Sequence, residues 1–150
     1  MKMLVTGATG KLGSKVVKKL LETVPADQLA VSVRNPEKAE ALRARGVDVR
    51  QGDFDRPETL ETAFQGIDRL LIISADGDNE TRIRQHGNAV AAAERAGVRF
   101  IAYTSIANAR KSKNFLAATH KATEEAILKT GIPYSCLLYT SDAADDSLRV

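Results

Sequence analysis

The chain predicts an α/β fold, a doubly wound parallel sheet covered by helices on both faces in a three-layer α/β/α arrangement. Three observations carry that expectation. Met3, Leu4 and Val5 form a short apolar strand close to the N-terminus. Gly7, Gly10 and Gly13 follow at G-x-x-G-x-x-G spacing, and Leu12, Val16, Val17, Leu20 and Leu21 then recur at helical intervals. Beyond them, apolar strands and amphipathic helices alternate, the pattern of parallel β-α-β units. Strand, glycine turn and helix are the setting of a dinucleotide-binding loop. With that loop first, the expected strand order is 3-2-1-4-5-6, with the ligand across the carboxyl ends of strands one and four.

Each element follows from its own pattern. Pro25-Ala26-Asp27 makes a turn, and Leu29 to Val33 reads as the second strand. Asn35-Pro36 ends it, and a short helix is expected from Glu37 to Arg45, capped by Gly46. Val47-Asp48-Val49 alternates as a third strand, leading to Gly52-Asp53-Phe54. Pro57 opens a helix with Leu60, Ala63 and Phe64 on its apolar side. Leu70 to Ile73 is apolar on both faces and is the strongest strand. Asp76 to Asn79 reads as a polar loop, and a helix from Glu80 to Ala96 places Ile83, Val90 and Ala93 at core spacing. Phe100 to Tyr103 is the fifth strand, ending at Thr104-Ser105. Asn108 to Asn114 forms a basic loop, Phe115 to Thr130 a helix stopped by Gly131, and Ile132-Pro133-Tyr134 leads toward a sixth strand.

Composition narrows the class. A chain of 150 residues suits one domain with a real core. There is no run of eighteen apolar residues and no signal-peptide pattern, so neither a membrane span nor a leader is expected. A lone cysteine, Cys136, excludes an internal disulfide and fits a reducing compartment, so a cytoplasmic location is expected. The net charge of +3 raises nucleic acid as a partner. However, Lys11, Lys15, Lys18 and Lys19 alternate with the first helix's apolar stripe and read as its solvated face. No aromatic stacking platform accompanies them, so no nucleic-acid partner is expected.

The glycines have a reason in reach. A side chain at Gly7 or Gly10 would hold a pyrophosphate away from backbone N–H groups, and Gly13 lets helix and strand pack closely. The helix N-terminus adds unpaired donors and partial positive charge. Sites that prefer NAD end the second strand with an acid for the ribose 2′-hydroxyl. Here Val33-Arg34-Asn35-Pro36 stands in its place. Arg34 can grip a 2′-phosphate through its planar fork, with Lys38 as a second charge, so the expected cofactor is NADP(H).

The segments T-G-A-T-G-K-L-G, V-R-N-P-E-K-A, V-R-Q-G-D-F, F-I-A-Y-T-S and T-E-E-A-I-L-K-T-G-I-P-Y add a resemblance. In their order and spacing the chain resembles the NmrA-like, atypical short-chain dehydrogenase/reductases, and within them the bacterial NAD(P)H:quinone oxidoreductases, from Met1 to about Ser135. The resemblance implies an NADP(H) site at Gly7, Ala8, Thr9, Gly10, Lys11, Leu12 and Gly13, with Arg34, Asn35 and Lys38 around the 2′-phosphate. It places Asp53 and Phe54 beside the adenine. Ser74, Ala75, Tyr103, Thr104 and Ser105 fall on the nicotinamide side, with Ser105 expected to be catalytic. It also implies hydride transfer to a small quinone-like acceptor.

The tyrosine–lysine pair of the better-known short-chain dehydrogenases is absent. At the equivalent place His120 and Glu124 lie one helical turn apart on one face. A histidine beside a carboxylate can donate a proton near neutral pH; the other reading is an ordinary polar pair on a helix. No third ligand joins them, so no metal is expected. Quinone reduction asks mainly for positioning of cofactor and acceptor, so the missing tyrosine leaves a reductase open. It also leaves open a protein that binds NADP without turnover and acts as a redox-sensing regulator, as some NmrA-like proteins do.

The resemblance fails near the end. Family members continue their sixth strand into an arginine–asparagine segment that touches the cofactor, and then into a substrate-covering region. Residues 136–146 read C-L-L-Y-T-S-D-A-A-D-D instead, which resembles the translation of a transposon-end sequencing adapter. The expectation is therefore a truncated dinucleotide-binding domain over residues 1–138, with 139–150 a disordered tail of artificial origin. Weak cofactor binding and little turnover are expected of such a fragment.

Overall fold

The computed structural model describes residues 1–73, 79–107, 113–140 and 148–149, with side chains at 1–73, 80–104 and 121–135. Strand β1 (Met3–Thr6) leads through the glycine turn into α1 (Lys11–Leu20), and β2 (Leu29–Val33) follows. A 3-10 turn, Pro36–Ala39, runs into the short α2 (Glu40–Ala44), and then come β3 (Asp48–Gln51), α3 (Pro57–Ala63) and β4 (Arg69–Ile73). The second half holds α4 (Asn79–Ala96), β5 (Phe100–Ala107), α5 (Lys113–Thr130), β6 (Tyr134–Thr140) and β7 (Leu148–Arg149). The sheet order is β3-β2-β1-β4-β5-β6-β7. The first six strands are parallel, in the 3-2-1-4-5-6 order that the glycine loop implies, and β7 is antiparallel to β6.

Because side chains on a strand alternate between faces, each strand feeds two cores. Leu4, Ala30, Leu70, Ile72, Ile101 and Tyr103 bury one face against Leu60 and Phe64 near α3, Ala89, Val90 and Ala93 of α4, and Ile127 of α5. Val5, Leu29, Val31, Val33, Leu71 and Ile73 bury the other against Leu12, Val16 and Val17 of α1 and against Ala39. Both faces being covered, β2 is buried along its whole length and β4 from Leu70 to Ile73.

Several boundaries differ from expectation for local reasons. The helix expected from Glu37 to Arg45 divides into the 3-10 turn and α2, with Pro36 at the start of the turn. The third strand is Asp48–Gln51 and pairs with β2 as far as Val33↔Gln51. The fifth extends to Ala107, since β6 pairs with it through Ala107↔Thr140. Helix α5 begins at Lys113, within the expected basic loop, and Asn79 already belongs to α4. The remainder of those two loops, residues 76–78 and 108–112, lies outside the described residues.

Ile83 is a correction of another kind. It is 37% exposed, while Arg82, His86, Ala89, Val90 and Ala93 form the buried line of α4. The buried stripe starts one residue earlier, so Ile83 is turned toward the rim. Near the end, β6 continues through Tyr139–Thr140, and Leu138↔Arg149 and Tyr139↔Leu148 form a short antiparallel pair within the stretch expected to be a loose tail. Apolar residues beside an unpaired strand edge favour such pairing. Among the described residues no helix is long and apolar enough to cross a membrane.

Candidate functional site

Strands β1 and β4 part company at their carboxyl ends. Their ladder runs to Val5↔Leu71, and the next rung is made by a side chain: the buried Thr6 hydroxyl accepts the N–H of Ile73 at 2.9 Å. The main chain of β1 is thereby released into the glycine turn while the sheet stays closed below it. Gly7 N–H donates to the Ser32 carbonyl (3.2 Å) and Gly10 N–H to the Gly7 carbonyl (3.1 Å), which folds the turn back over β2.

The close approach of turn and helix is absolute at one position. A Cβ on Gly13 would lie 1.9 Å from the Gly7 carbonyl oxygen, so no other residue fits. Gly10 is the N-cap of α1 and supplies no side-chain cap, and the first turn contains no acid. The donors at this end of α1 are therefore left for an anion, with Lys11 adding charge.

Above this turn lies a cavity of about 360 Å³, lined by Thr6, Gly7, Thr9, Gly10, Lys11, Leu12, Gly13, Ser32, Val33, Arg34, Gly52, Asp53, Phe54, Leu60, Ile73 and Gln85. It spans the point where strand order reverses, the place where doubly wound sheets bind ligands. Gly52 forms part of its floor. A Cβ there would lie 2.0 Å from Ser32 Oγ, so a larger residue would force that hydroxyl out of its place under the cavity.

The expected site residues divide into three groups. Gly7, Thr9, Gly10, Lys11, Leu12, Gly13, Arg34, Asp53 and Phe54 come together around the cavity. Ala8 does not line it, because its methyl group is buried in the core beneath α1. Asn35 and Lys38 are exposed and stand off its wall, beyond Arg34. Tyr103 and Thr104 are fully buried and do not line it either; the Tyr103 ring meets His86 edge-on, with centroids 5.4 Å apart. Glu124 is half-buried on α5. Ser74 and Ala75, and the side chains of Ser105 and His120, lie outside the described residues. Among those described, no group of three His, Cys, Asp or Glu side chains could hold a metal ion.

Sequence reading passed over His86. Its ring is fully buried between α4 and α5, with Nδ1 3.0 Å from the Thr123 hydroxyl. Burial, with the charge of Arg82 adding to it, pushes its pKa down to about 4, so the ring is neutral at ordinary pH. The available signal was its spacing of four and seven residues from Val90 and Ala93. Ser32, Gly52, Thr6, Gln85 and Asn88 were missed as well, because each acts through a partner distant in sequence.

The fit to a dinucleotide is a matter of shape and charge. Glycines line the floor, with a Cβ at Gly13 meeting backbone, the helix end presents donors, and the basic side chains Lys11 and Arg34 stand on the cavity wall. A parallel sheet opening in this way defines a nucleotide-cofactor-binding domain of the doubly wound kind. The chain belongs to the NAD(P)H-binding family, NmrA-like in kind, whose pattern matches residues 7–146. It is 47% identical to quinone oxidoreductase 2 of Escherichia coli over 133 residues, which are 89% of this chain and 46% of that protein. Among solved structures, Citrobacter sp. triphenylmethane reductase complexed with NADP(H) is 49% identical. Their TM-score is 0.85, with 93% of this chain and 50% of that one covered. The NADPH complex of the E. coli NADPH-dependent quinone oxidoreductase is 43% identical with a TM-score of 0.78, covering 92% and 47%. The chain thus spans about half the length of the relatives it matches.

Proposed function

We propose that this chain is the NADPH-holding part of an oxidoreductase that reduces quinone-like acceptors by hydride transfer. The observation that carries the cofactor choice is Arg34, on the cavity wall just past β2 where an acid would select NAD. The reaction class is supported by the likeness to quinone oxidoreductase 2 and to triphenylmethane reductase.

The turn from Gly7 to Gly13, Lys11 included, holds the pyrophosphate by backbone N–H groups and charge. Arg34 grips the 2′-phosphate, with Asn35 and Lys38 outside it. Asp53 and Phe54 flank the adenine. Ser74, Ala75, Tyr103 and Thr104 border the nicotinamide, the last two through their main chain since their side chains are buried. When bound, NADPH supplies the hydride. His120, with Glu124 one turn further along α5, donates the proton that neutralises the acceptor oxygen, and Ser105 orients the acceptor.

Two measurements test this. NADPH should bind residues 1–150 more tightly than NADH, and equal affinities would refute the cofactor assignment. A version extended to the relatives' length should oxidise NADPH when a quinone is added, and His120→Ala should slow turnover with little change in cofactor affinity. Tight NADPH binding without oxidation by any quinone would replace the reductase by a redox sensor.

A further inference from the structure

The base end of the cavity is a turn, Asp53 to Arg56, between β3 and α3. Part of its order is its own. Asp53 N–H donates to the Thr59 hydroxyl at 2.9 Å, Asp55 N–H to the Asp53 carboxylate at 2.9 Å, and Arg56 N–H to the Asp53 carbonyl at 2.9 Å. The remainder comes from α4, some thirty residues further along the chain. Asn88 Nδ2 donates to the Phe54 carbonyl at 2.8 Å. One turn earlier on the same face, Gln85 Nε2 donates to Asp55 at 3.3 Å, and Arg84 pairs with the same carboxylate at 2.9 Å. The amide orientations follow from the partners: a carbonyl and a carboxylate only accept, so nitrogen must face each.

Resting on the reading that this cavity holds an adenine dinucleotide, we infer that Asn88, seconded by Gln85, is a positioning residue for the adenine. It acts through Phe54. The Phe54 side chain lines the cavity and also packs on the core between α3 and α4. Its angle to a stacked base therefore depends on where its own backbone is held. The turn's internal bonds fix Asp53, Asp55 and Arg56, and none of them reaches the Phe54 carbonyl. Asn88 is half-buried and supplies that contact in a partly desolvated place, where a neutral hydrogen bond is worth most. Asp55 is more exposed, so the Gln85 and Arg84 tethers are the weaker ones.

The test uses residues 1–150 with 2′,5′-ADP and NADPH as probes, read by calorimetric titration, and thermal melts to confirm folding. Asn88→Ala is expected to weaken both ligands by the same factor, about fivefold to tenfold, because the loss lies in the half they share. Asn88→Asp keeps the shape but turns a donor toward the carbonyl into an acceptor. It should lose at least as much as Asn88→Ala, an outcome that a merely space-filling role would not produce. Gln85→Ala should shift both by about twofold. Unchanged 2′,5′-ADP affinity in folded Asn88→Asp would overturn the inference. So would a loss much larger for NADPH than for 2′,5′-ADP, which would place the effect at the nicotinamide. Failure of both the unsubstituted chain and a version extended to the relatives' length to bind either ligand would overturn the cofactor reading beneath it, and this inference with it.

Discussion

The two halves of the sheet solve different problems with different materials. From β1 to β3 the site is made of backbone: glycines at 7, 10, 13 and 52, a helix end, and turns closed by main-chain hydrogen bonds. From α4 to α5 the fold beside the site is held by side chains that meet across it, such as His86 with Thr123 and with Tyr103. A turn made of backbone has no room for an added atom at Gly13, where the neighbour cannot swing aside. A region made of side-chain contacts tolerates shape changes and is sensitive to protonation. The first half is therefore broken by sterics and the second by pH.

Gly13→Ala should break the first half most severely. Its Cβ would sit 1.9 Å from backbone, which cannot swing aside. A destabilisation of about 3 kcal/mol or more is expected in chemical denaturation, together with loss of detectable NADPH binding. Retention of both would mean that the turn is far softer than its hydrogen bonds suggest.

The second half should respond to acid. His86 has an ordinary pKa of 6.5 and a folded value of about 4. Between those values the unfolded chain binds a proton that the folded chain does not, so stability is fully present above 6.5 and is lost as pH falls toward 4. The loss reaches about 3 kcal/mol. Melting temperature followed across that window should fall in the parent, and His86→Gln should flatten the slope even if it lowers the plateau.

Thr6→Val probes the seam between the halves. It keeps the volume and removes the acceptor of the Ile73 N–H, which is then buried without its partner. A cost of about 1 to 3 kcal/mol is expected, with Thr6→Ser restoring most of it. If valine is tolerated at no cost, the side-chain rung is ornamental and the strands part for another reason.

Smallest is Arg34→Ala, which leaves the fold untouched because the side chain is exposed. It should reduce the preference for NADPH over NADH by about tenfold, measured as a ratio of affinities. An unaltered ratio would move the 2′-phosphate elsewhere.

The same contrast explains what the sequence disclosed. The glycine turn, Arg34 and the strand order were legible because they rest on short-range spacing between Met3 and Pro36, and on β4 being apolar on both faces. Ile83 was misplaced because the apolar residues of α4 are mostly alanine, and its buried stripe is completed by Arg82 and His86, polar residues that hydropathy alone turns outward. Gly52 was seen as part of a turn, but the need for it lies in Ser32, on another strand. Asn88 carries no local signal, because its partner, the Phe54 carbonyl, lies on another element far back in the chain. Nothing in local spacing announces such a pair.

Leu70 and Leu71 are covalent neighbours, yet one belongs to the core under α3 to α5 and the other to the core under α1. The sheet acts as a party wall. Truncations on opposite sides of it share no packing partners, so their effects on stability should add, although the residues are adjacent. Truncations on one side, such as Leu70 with Ala89, share a cavity and should not. The α1 side is bound to the fixed geometry of the glycine turn, while substitutions on the α4–α5 side are felt by that turn only through the sheet between them.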